Sequence, residues 1–318
     1  MPLRLNKEKW GWLTGPLFWV ELFAIGNIGF LAVDVAVAHA INAFAHKAEY
    51  VPVAFSLAAA PLLALAMLIG GPLPAPRGLW PSKTPRWRAR TAWTIGVLVG
   101  CGSILVGLAG LFFHLDSVFF EEQTLRNLVY TAPFAAPLAY TGLGFLVLLS
   151  RMVDARGPEW AGWVVVLAAG GWAGNFVLSL ADHAQNGFFY PTEWIGVVSS
   201  ALAFGFLTAV VVVRDNRPLR FTALGVMVVQ LVVGLLGFYL HVHGNLAKPT
   251  ASVWESFLYG APAFAPLLFD DLALLGLLGL WAQARVDLRT PCVPPADRGA
   301  EYKPDAQARD GITSANSN

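Results

Sequence analysis

The sequence contains few charged residues and almost no cysteine. Charged residues make up 13% of the 318 residues, whereas apolar residues make up 56%; soluble domains carry about 25% charged residues. The two cysteines, Cys101 and Cys292, lie far apart in the chain. We therefore expect neither a disulfide nor a cysteine-based metal motif. The net charge of +1 argues against a nucleic-acid-binding protein, which needs a basic surface.

Familiar catalytic signatures are absent as well. The sequence has no phosphate-binding glycine loop, no Ser-His-Asp order and no His-Glu-x-x-His zinc helix. It also has no long polar domain. Any chemistry must therefore belong to the apolar helices and the short loops between them.

Long apolar runs predict an all-α integral membrane protein with eight transmembrane helices, since about 20 residues are needed to cross the hydrocarbon core. The predicted helices are Pro16–Ala38, Val51–Ile69, Trp93–Phe113, Asn127–Leu149, Ala161–Leu180, Trp194–Val213, Phe221–Leu240 and Ser256–Trp281. We expect a cytoplasmic N-terminus (1–15), two four-helix halves (16–150 and 151–285) and a disordered cytoplasmic tail (286–318), because the tail is polar and rich in proline.

The basic residues predict the orientation in the lipid bilayer. Of the 21 Lys and Arg residues, 18 fall in segments on the side of the N-terminus. The opposite side has only Lys47, Arg126 and Lys248. The positive-inside rule then predicts a multi-pass protein of the cell membrane with both termini in the cytoplasm.

A histidine recurs at the end of the first helix of each of four helix pairs. These residues are His39, His114, His183 and His241, and all lie on the predicted outer side. Pairs 2 and 4 match best, and pairs 1 and 3 share a His-x-x-Asn and a Glu-aromatic dipeptide. The order A-B-A-B predicts that a four-helix half was duplicated, with parallel repeats about an axis along the membrane normal.

Glycines share a helix face with two of these histidines. Gly107 and Gly110 precede His114 by seven and four residues, as Gly234 and Gly237 precede His241. Residues at this spacing lie on one face of a helix. Such a smooth strip ending in a ligand predicts a haem held by His114 and His241. Small residues also let membrane helices pack closely, which explains the glycines without a ligand.

Further ligands are predicted close to the same histidines. Asp116 follows His114 by two residues, and His243 follows His241 by two residues. His39 and His183 are predicted to form a second site or to support the first. A set of His and carboxylate ligands suits a transition metal such as Fe, Cu or Zn. A quinone or another redox partner would then meet the protein at its outer face. The alternative is that histidines at helix ends merely cap carbonyls or face water.

Four acidic residues lie inside predicted membrane helices, where a charge is costly unless it faces protein or water. They are Glu21, Asp34, Asp270 and Asp271. Asp270 and Asp271 replace a Thr and a Gly when pairs 2 and 4 are aligned, so they broke the symmetry of the repeat. We therefore predict an ion or proton relay through these four residues.

Paired prolines predict bends in the fourth and eighth helices. Pro133 and Pro137 lie four residues apart, as do Pro262 and Pro266, and each removes a backbone donor. Three functions are compatible with these features: a haem or metal protein for redox chemistry, a cation or proton transporter or channel, and a structural or assembly protein without chemistry.

Overall fold

The computed structural model describes residues 15–70, 85–213 and 216–288, and these ranges contain helices and no strand. The predicted N-terminal segment 1–15 and tail 286–318 lie almost wholly outside the described residues. A 3-10 turn, Lys47–Glu49, precedes the second helix. The helices are α1 (Pro16–Ala40), α2 (Tyr50–Gly70), α3 (Arg86–Asp116), α4 (Leu125–Tyr130), α5 (Leu138–Met152), α6 (Pro158–Gln185), α7 (Glu193–Val212), α8 (Arg217–Ala247), α9 (Val253–Leu258) and α10 (Leu267–Asp287).

Seven of the described helices are long and apolar enough to cross a membrane, namely α1, α2 with its preceding turn, α3, α6, α7, α8 and α10. The apolar helix α5 has only 15 residues. The chain therefore has the architecture of a multi-pass helical membrane protein. The predicted count of eight full spans is not reached in the described residues, because α5 is shorter than a membrane helix requires.

The prediction of two continuous helices over Asn127–Leu149 and Ser256–Trp281 is wrong. In the first, α4 ends at Tyr130, and α5 begins after Pro137. In the second, α9 ends at Leu258, and α10 begins after Pro266. Two prolines four residues apart remove two successive helical hydrogen bonds, so the helix stops instead of bending. A single proline, Pro61, is accommodated within α2.

Antiparallel packing of the helices places the core around α6 and α10. Helix α3 packs against α5, α8 packs against α10, and α10 also packs against α6. Trp160 and Trp172 of α6 and Leu207 of α7 are fully buried in this core. Because successive long helices alternate in direction, the C-terminal ends of α1, α3, α6 and α8 lie at one end of the bundle. We refer to this end as the histidine end.

Candidate functional site

Four histidines lie within six residues of the C-terminal ends of the helices that finish at the histidine end. His39, His114 and His183 lie one to two residues before the ends of α1, α3 and α6, and His241 lies six residues before the end of α8. All four side chains are partly buried. The topology thus brings to one end of the bundle the residues that the sequence placed on one side.

Each of the four imidazoles has its Nδ1 atom next to an acceptor. Nδ1 of His114 donates to the Pro133 carbonyl at 2.9 Å, and Nδ1 of His241 donates to the Pro262 carbonyl at 2.9 Å. Nδ1 of His39 donates to the carbonyl of Val35, also at 2.9 Å. Because a carbonyl oxygen only accepts, Nδ1 carries the proton in these three rings, and Nε2 keeps its lone pair when the ring is neutral.

The fourth histidine faces a carboxylate. Nδ1 of His183 lies 3.5 Å from Oε2 of Glu193, and both side chains are largely buried.

The contacts of His114 and His241 also explain how the broken helices are stabilised. The carbonyls of Pro133 and Pro262 lie in the breaks before α5 and α10, and each accepts from its imidazole in addition to the backbone N–H of Ala136 or Ala265.

We call α1–α5 the first set and α6–α10 the second set, and the histidines interact within each set. The rings of His39 and His114 have centroids 6.1 Å apart with planes inclined by 62°. Glu49 interacts electrostatically with His114. In the second set, His183 interacts electrostatically with His241 as well as with Glu193. His39 therefore lies in ring contact with His114, whereas His183 and His241 share an electrostatic interaction. The predicted haem held by His114 and His241 stays a prediction.

The loops beside the two histidine pairs have the same local structure. Phe44 stacks on Tyr50 with centroids 4.4 Å apart, and Phe188 stacks on Trp194 with centroids 4.0 Å apart. The backbone N–H of each phenylalanine donates to the carbonyl of the preceding histidine, that of His39 or His183. Each residue of this loop in the first set has its counterpart 144 residues later in the chain.

Left-handed backbone recurs in the same two loops. Ala43 and Phe44 have φ values of 54° and 53°, and Gly187 and Phe188 have φ values of 69° and 52°. Glu49 accepts from the backbone N–H of His46, as Glu193 accepts from that of Tyr190. Each turn thus fixes the position of the carboxylate that accompanies its histidine pair.

The four glycines assigned to a cofactor are packed against the second helix of their own pair. A Cβ added to Gly107 would lie 2.6 Å from the Thr141 backbone nitrogen, and one added to Gly110 would lie 2.7 Å from Pro137. Gly237 meets Pro266 in the same way, and Gly234 meets the carboxylate of Asp270. These faces have no room for a planar ring, so close helix packing accounts for the glycines.

Asp116 and His243 lie away from the two histidine pairs. Helix α3 continues to Asp116 and helix α8 continues beyond His243, so each residue lies about 200° around the helix from the histidine two positions before it. Both side chains are exposed. Within 15–70, 85–213 and 216–288, no three His, Cys, Asp or Glu side chains form a group that would hold a metal ion. The six predicted ligands are therefore not one cluster.

The intramembrane acids are distributed over several contacts. Asp34 interacts electrostatically with His39. Asp270 and Asp271 point to different neighbours, as expected for consecutive helical positions. Oδ2 of Asp270 is buried against Gly234 without a hydrogen-bond partner among the described residues, whereas Asp271 interacts with the side-chain amide of Asn27 on α1.

The predicted relay residue Glu21 forms a buried ion pair with Arg151. Nη2 of Arg151 donates to Oε2 of Glu21 at 2.8 Å, Nη1 donates to Oε1, and both side chains are 3% exposed. Gly96 provides space for the guanidinium group, since a Cβ there would collide with Nε of Arg151. The indole of Trp93 donates to the Arg151 carbonyl at 3.0 Å.

The sequence did not predict this pair, because Arg151 is one of several basic residues in the inner segments. A signal was available. Glu21 is an acid in the inner third of the first helix, and Arg151 lies at a similar depth at the end of a predicted helix. A buried acid needs a partner of opposite charge, so a basic residue at this depth was to be expected, but the sequence does not specify which one.

Comparison with known proteins gives no match: no protein-family model, no curated protein and no solved structure is significantly similar to this chain.

Proposed function

We propose that the protein binds haem iron or a transition-metal ion (Fe, Cu or Zn) at the two histidine pairs, for redox chemistry or electron transfer at one face of the membrane. The observation that carries this proposal is the orientation of the imidazoles. All four Nδ1 atoms face a carbonyl or a carboxylate. Metal-binding histidines almost always donate their other ring N–H in this way, which fixes the ring and leaves Nε2 as the ligand atom.

The spacing of the first pair supports a shared ion. Imidazole nitrogens bind a metal at about 2 Å, so two rings on one ion have centroids about 5 to 6 Å apart. The centroids of His39 and His114 are 6.1 Å apart. Glu49 and Glu193 place one carboxylate beside each pair. Two protein ligands suffice for a haem, because the porphyrin supplies four nitrogens, whereas a Cu or Zn ion would need water or another small ligand in addition.

The matching loops support a duplicated four-helix half as the origin of the two sites. The His-Phe-Glu-aromatic arrangement recurs with the same hydrogen bonds and the same left-handed backbone. We extend the proposal accordingly: each half holds one site, both termini are cytoplasmic, and the histidine end is the extracytoplasmic face of the cell membrane. A quinone or a protein redox partner would exchange electrons there.

A cation or proton pathway is the second candidate, and one observation favours it. Oδ2 of Asp270 is buried without a partner among the described residues, which is costly unless an ion or proton occupies it. Asp34 and Asp271 would extend such a path, whereas Glu21 is engaged by Arg151. This candidate predicts transport in vesicles that is lost in Asp270→Asn and unaffected by removing the histidines.

Elemental analysis and absorption spectra of the purified full chain test the metal proposal. Two variants remove one histidine pair each, His39→Ala/His114→Ala and His183→Ala/His241→Ala. We expect two equivalents of metal or haem in the unaltered protein and one in each variant. A Soret band that accompanies the iron would identify haem, and its absence would identify a plain metal centre.

His46→Ala/His243→Ala is the matched control, because it removes two exposed histidines that lie outside the pairs. This control should keep both equivalents. The proposal fails if the folded protein contains no metal after growth in iron, copper and zinc. One equivalent that is lost in His114→Ala/His241→Ala and retained in His39→Ala/His183→Ala would restore the grouping that the sequence predicts.

A further inference from the structure

A cavity of about 400 Å³ lies between α1 and α10. Its walls are apolar and rich in aromatic side chains, with Trp19, Phe23 and Phe30 on one side and Leu274 and Leu278 on the other. Trp19, Phe30 and Leu274 are exposed on the surface of the bundle. Because both helices are membrane-spanning candidates, a ligand would enter this cavity sideways from the lipid.

Two polar side chains, Asn27 and Asp271, lie within this apolar lining. The amide of Asn27 donates to the Phe23 carbonyl at 3.1 Å and also interacts with the carboxyl group of Asp271. An amide and a carboxyl group offer both a donor and an acceptor of hydrogen bonds. Acyl chains of lipids have no group that uses them, so the polar pair points to a ring compound with oxygen substituents.

The equivalent positions of the repeat, on α6 and α5, lack this polar pair. The residue 144 positions after Asn27 is Gly171, and the residue of α5 that aligns with Asp271 is Gly142. The tryptophan is kept, as Trp163, and it is exposed like Trp19. Helix packing in this fold therefore does not require a carboxyl group and an amide at these positions. Polar groups that packing does not need are expected to serve a ligand.

We propose that the cavity between α1 and α10 binds the head group of a membrane-dissolved quinone or quinol. The volume is within the range of about 300 to 1,000 Å³ that is typical of small-molecule sites. The ring would lie among Trp19, Phe23 and Phe30. A quinone carbonyl would accept from the Asp271 carboxyl group in its protonated form, and a quinol hydroxyl would donate to that group in its ionised form, while the Asn27 amide holds it in place. The apolar tail would leave through the open side into the bilayer.

Photolabelling tests this site in the full chain, reconstituted in phospholipid nanodiscs. The probe is an azido-benzoquinone with a decyl tail, and cross-linked residues are mapped by mass spectrometry. We expect labelling on α1 and α10 at the cavity, suppressed by excess decyl-benzoquinone but not by decylbenzene. Because binding is measured without turnover, the result is independent of whether the histidine pairs hold a metal.

Gly26→Leu is the main variant, since Gly26 lines the cavity and a Cβ there meets no atom within 4 Å. The added side chain fills the cavity without disturbing the fold. The matched control is Gly170→Leu, at the corresponding position in α6, where a Cβ also meets nothing within 4 Å. We expect specific labelling to fall about tenfold, equivalent to about 1.4 kcal/mol, in Gly26→Leu, and to be unchanged in Gly170→Leu.

Asp271→Leu removes the carboxyl group from the cavity and should lower specific labelling by a similar factor. Asp270 faces Gly234 instead, so Asp270→Asn should leave specific labelling unchanged. Three results would each overturn the proposal: labelling spread evenly over the lipid-facing helices, competition by decylbenzene as effective as that by decyl-benzoquinone, or equal loss in Gly26→Leu and Gly170→Leu.

Discussion

The two four-helix sets resemble each other at the histidine end and differ inside the bundle. At the histidine end, Phe44 and Phe188 make the same stacking contacts. Deeper in the bundle, the first set has the Glu21–Arg151 ion pair, whereas the aligned residues of the second set are Val165 and Leu280, both buried and apolar. The two sets therefore share the histidine end, which is proposed to bind metal or haem, and differ in the interior of the bundle.

Removing one member of the ion pair should have the largest effect on stability. Arg151→Leu leaves the Glu21 carboxylate buried without its partner, which should cost about 3 to 5 kcal/mol of unfolding free energy. The double variant Glu21→Val/Arg151→Leu copies the second set into the first. Because well-packed apolar residues often replace buried ion pairs without loss, we expect it to unfold near the wild-type temperature in detergent.

The double variant is thus the control for the single one. A double variant as unstable as Arg151→Leu would show that the ion pair has a role in the first set that apolar packing does not replace. The ion pair would then be required for the stability of the first set.

A second comparison concerns the glycines at the helix contacts. Gly107 packs against the backbone of Thr141 and Pro137, whereas Gly234 packs against the side chain of Asp270. A backbone cannot move aside as a side chain does. We therefore expect Gly107→Ala to lower the unfolding free energy by about 1 to 3 kcal/mol and Gly234→Ala to lower it less. Thermal unfolding of the two variants in one detergent measures the difference, and a larger loss in Gly234→Ala would contradict it.

The smallest expected effect lies in the two loops. Ala43 and Gly187 occupy equivalent positions with φ values of 54° and 69°. Left-handed backbone costs a non-glycine residue about 1 to 2 kcal/mol, so Ala43→Gly should raise the unfolding free energy by up to about 1 kcal/mol. Gly187→Ala should lower it by a similar amount. Shifts of the same sign in both variants would show that the two loops are not equivalent.

The sequence was sufficient to predict most of the long apolar helices and the histidines near their ends. Apolar runs and terminal histidines are local features, and the structure has apolar helices that end where these features predict, His39 in α1 and His183 in α6 among them. Spacing along one chain does not specify which helix ends are neighbours in space. That is why the grouping of His114 with His39 required the structure.

The helix breaks and the buried ion pair were beyond the sequence for a different reason. A proline weakens a helix, but whether the chain bends or stops depends on partners for the freed carbonyls. Here His114 is such a partner for Pro133, and it is 19 residues away. Likewise, Arg151 and Glu21 are separated by 130 residues, so their contact depends on how α1 and α5 pack.

The shortness of α5 has a consequence for the lipid around it. Its 15 residues span about 22 Å at 1.5 Å per residue, and the hydrocarbon core of a bilayer is about 30 Å thick. The missing length of about 8 Å falls at the break before Pro137, whose backbone is bonded by His114 and Ser117. Beside α5, the bilayer must become thinner, or water and headgroups must descend to the break. Such hydrophobic mismatch sorts proteins among membranes, so we expect this chain to favour thin, fluid bilayers.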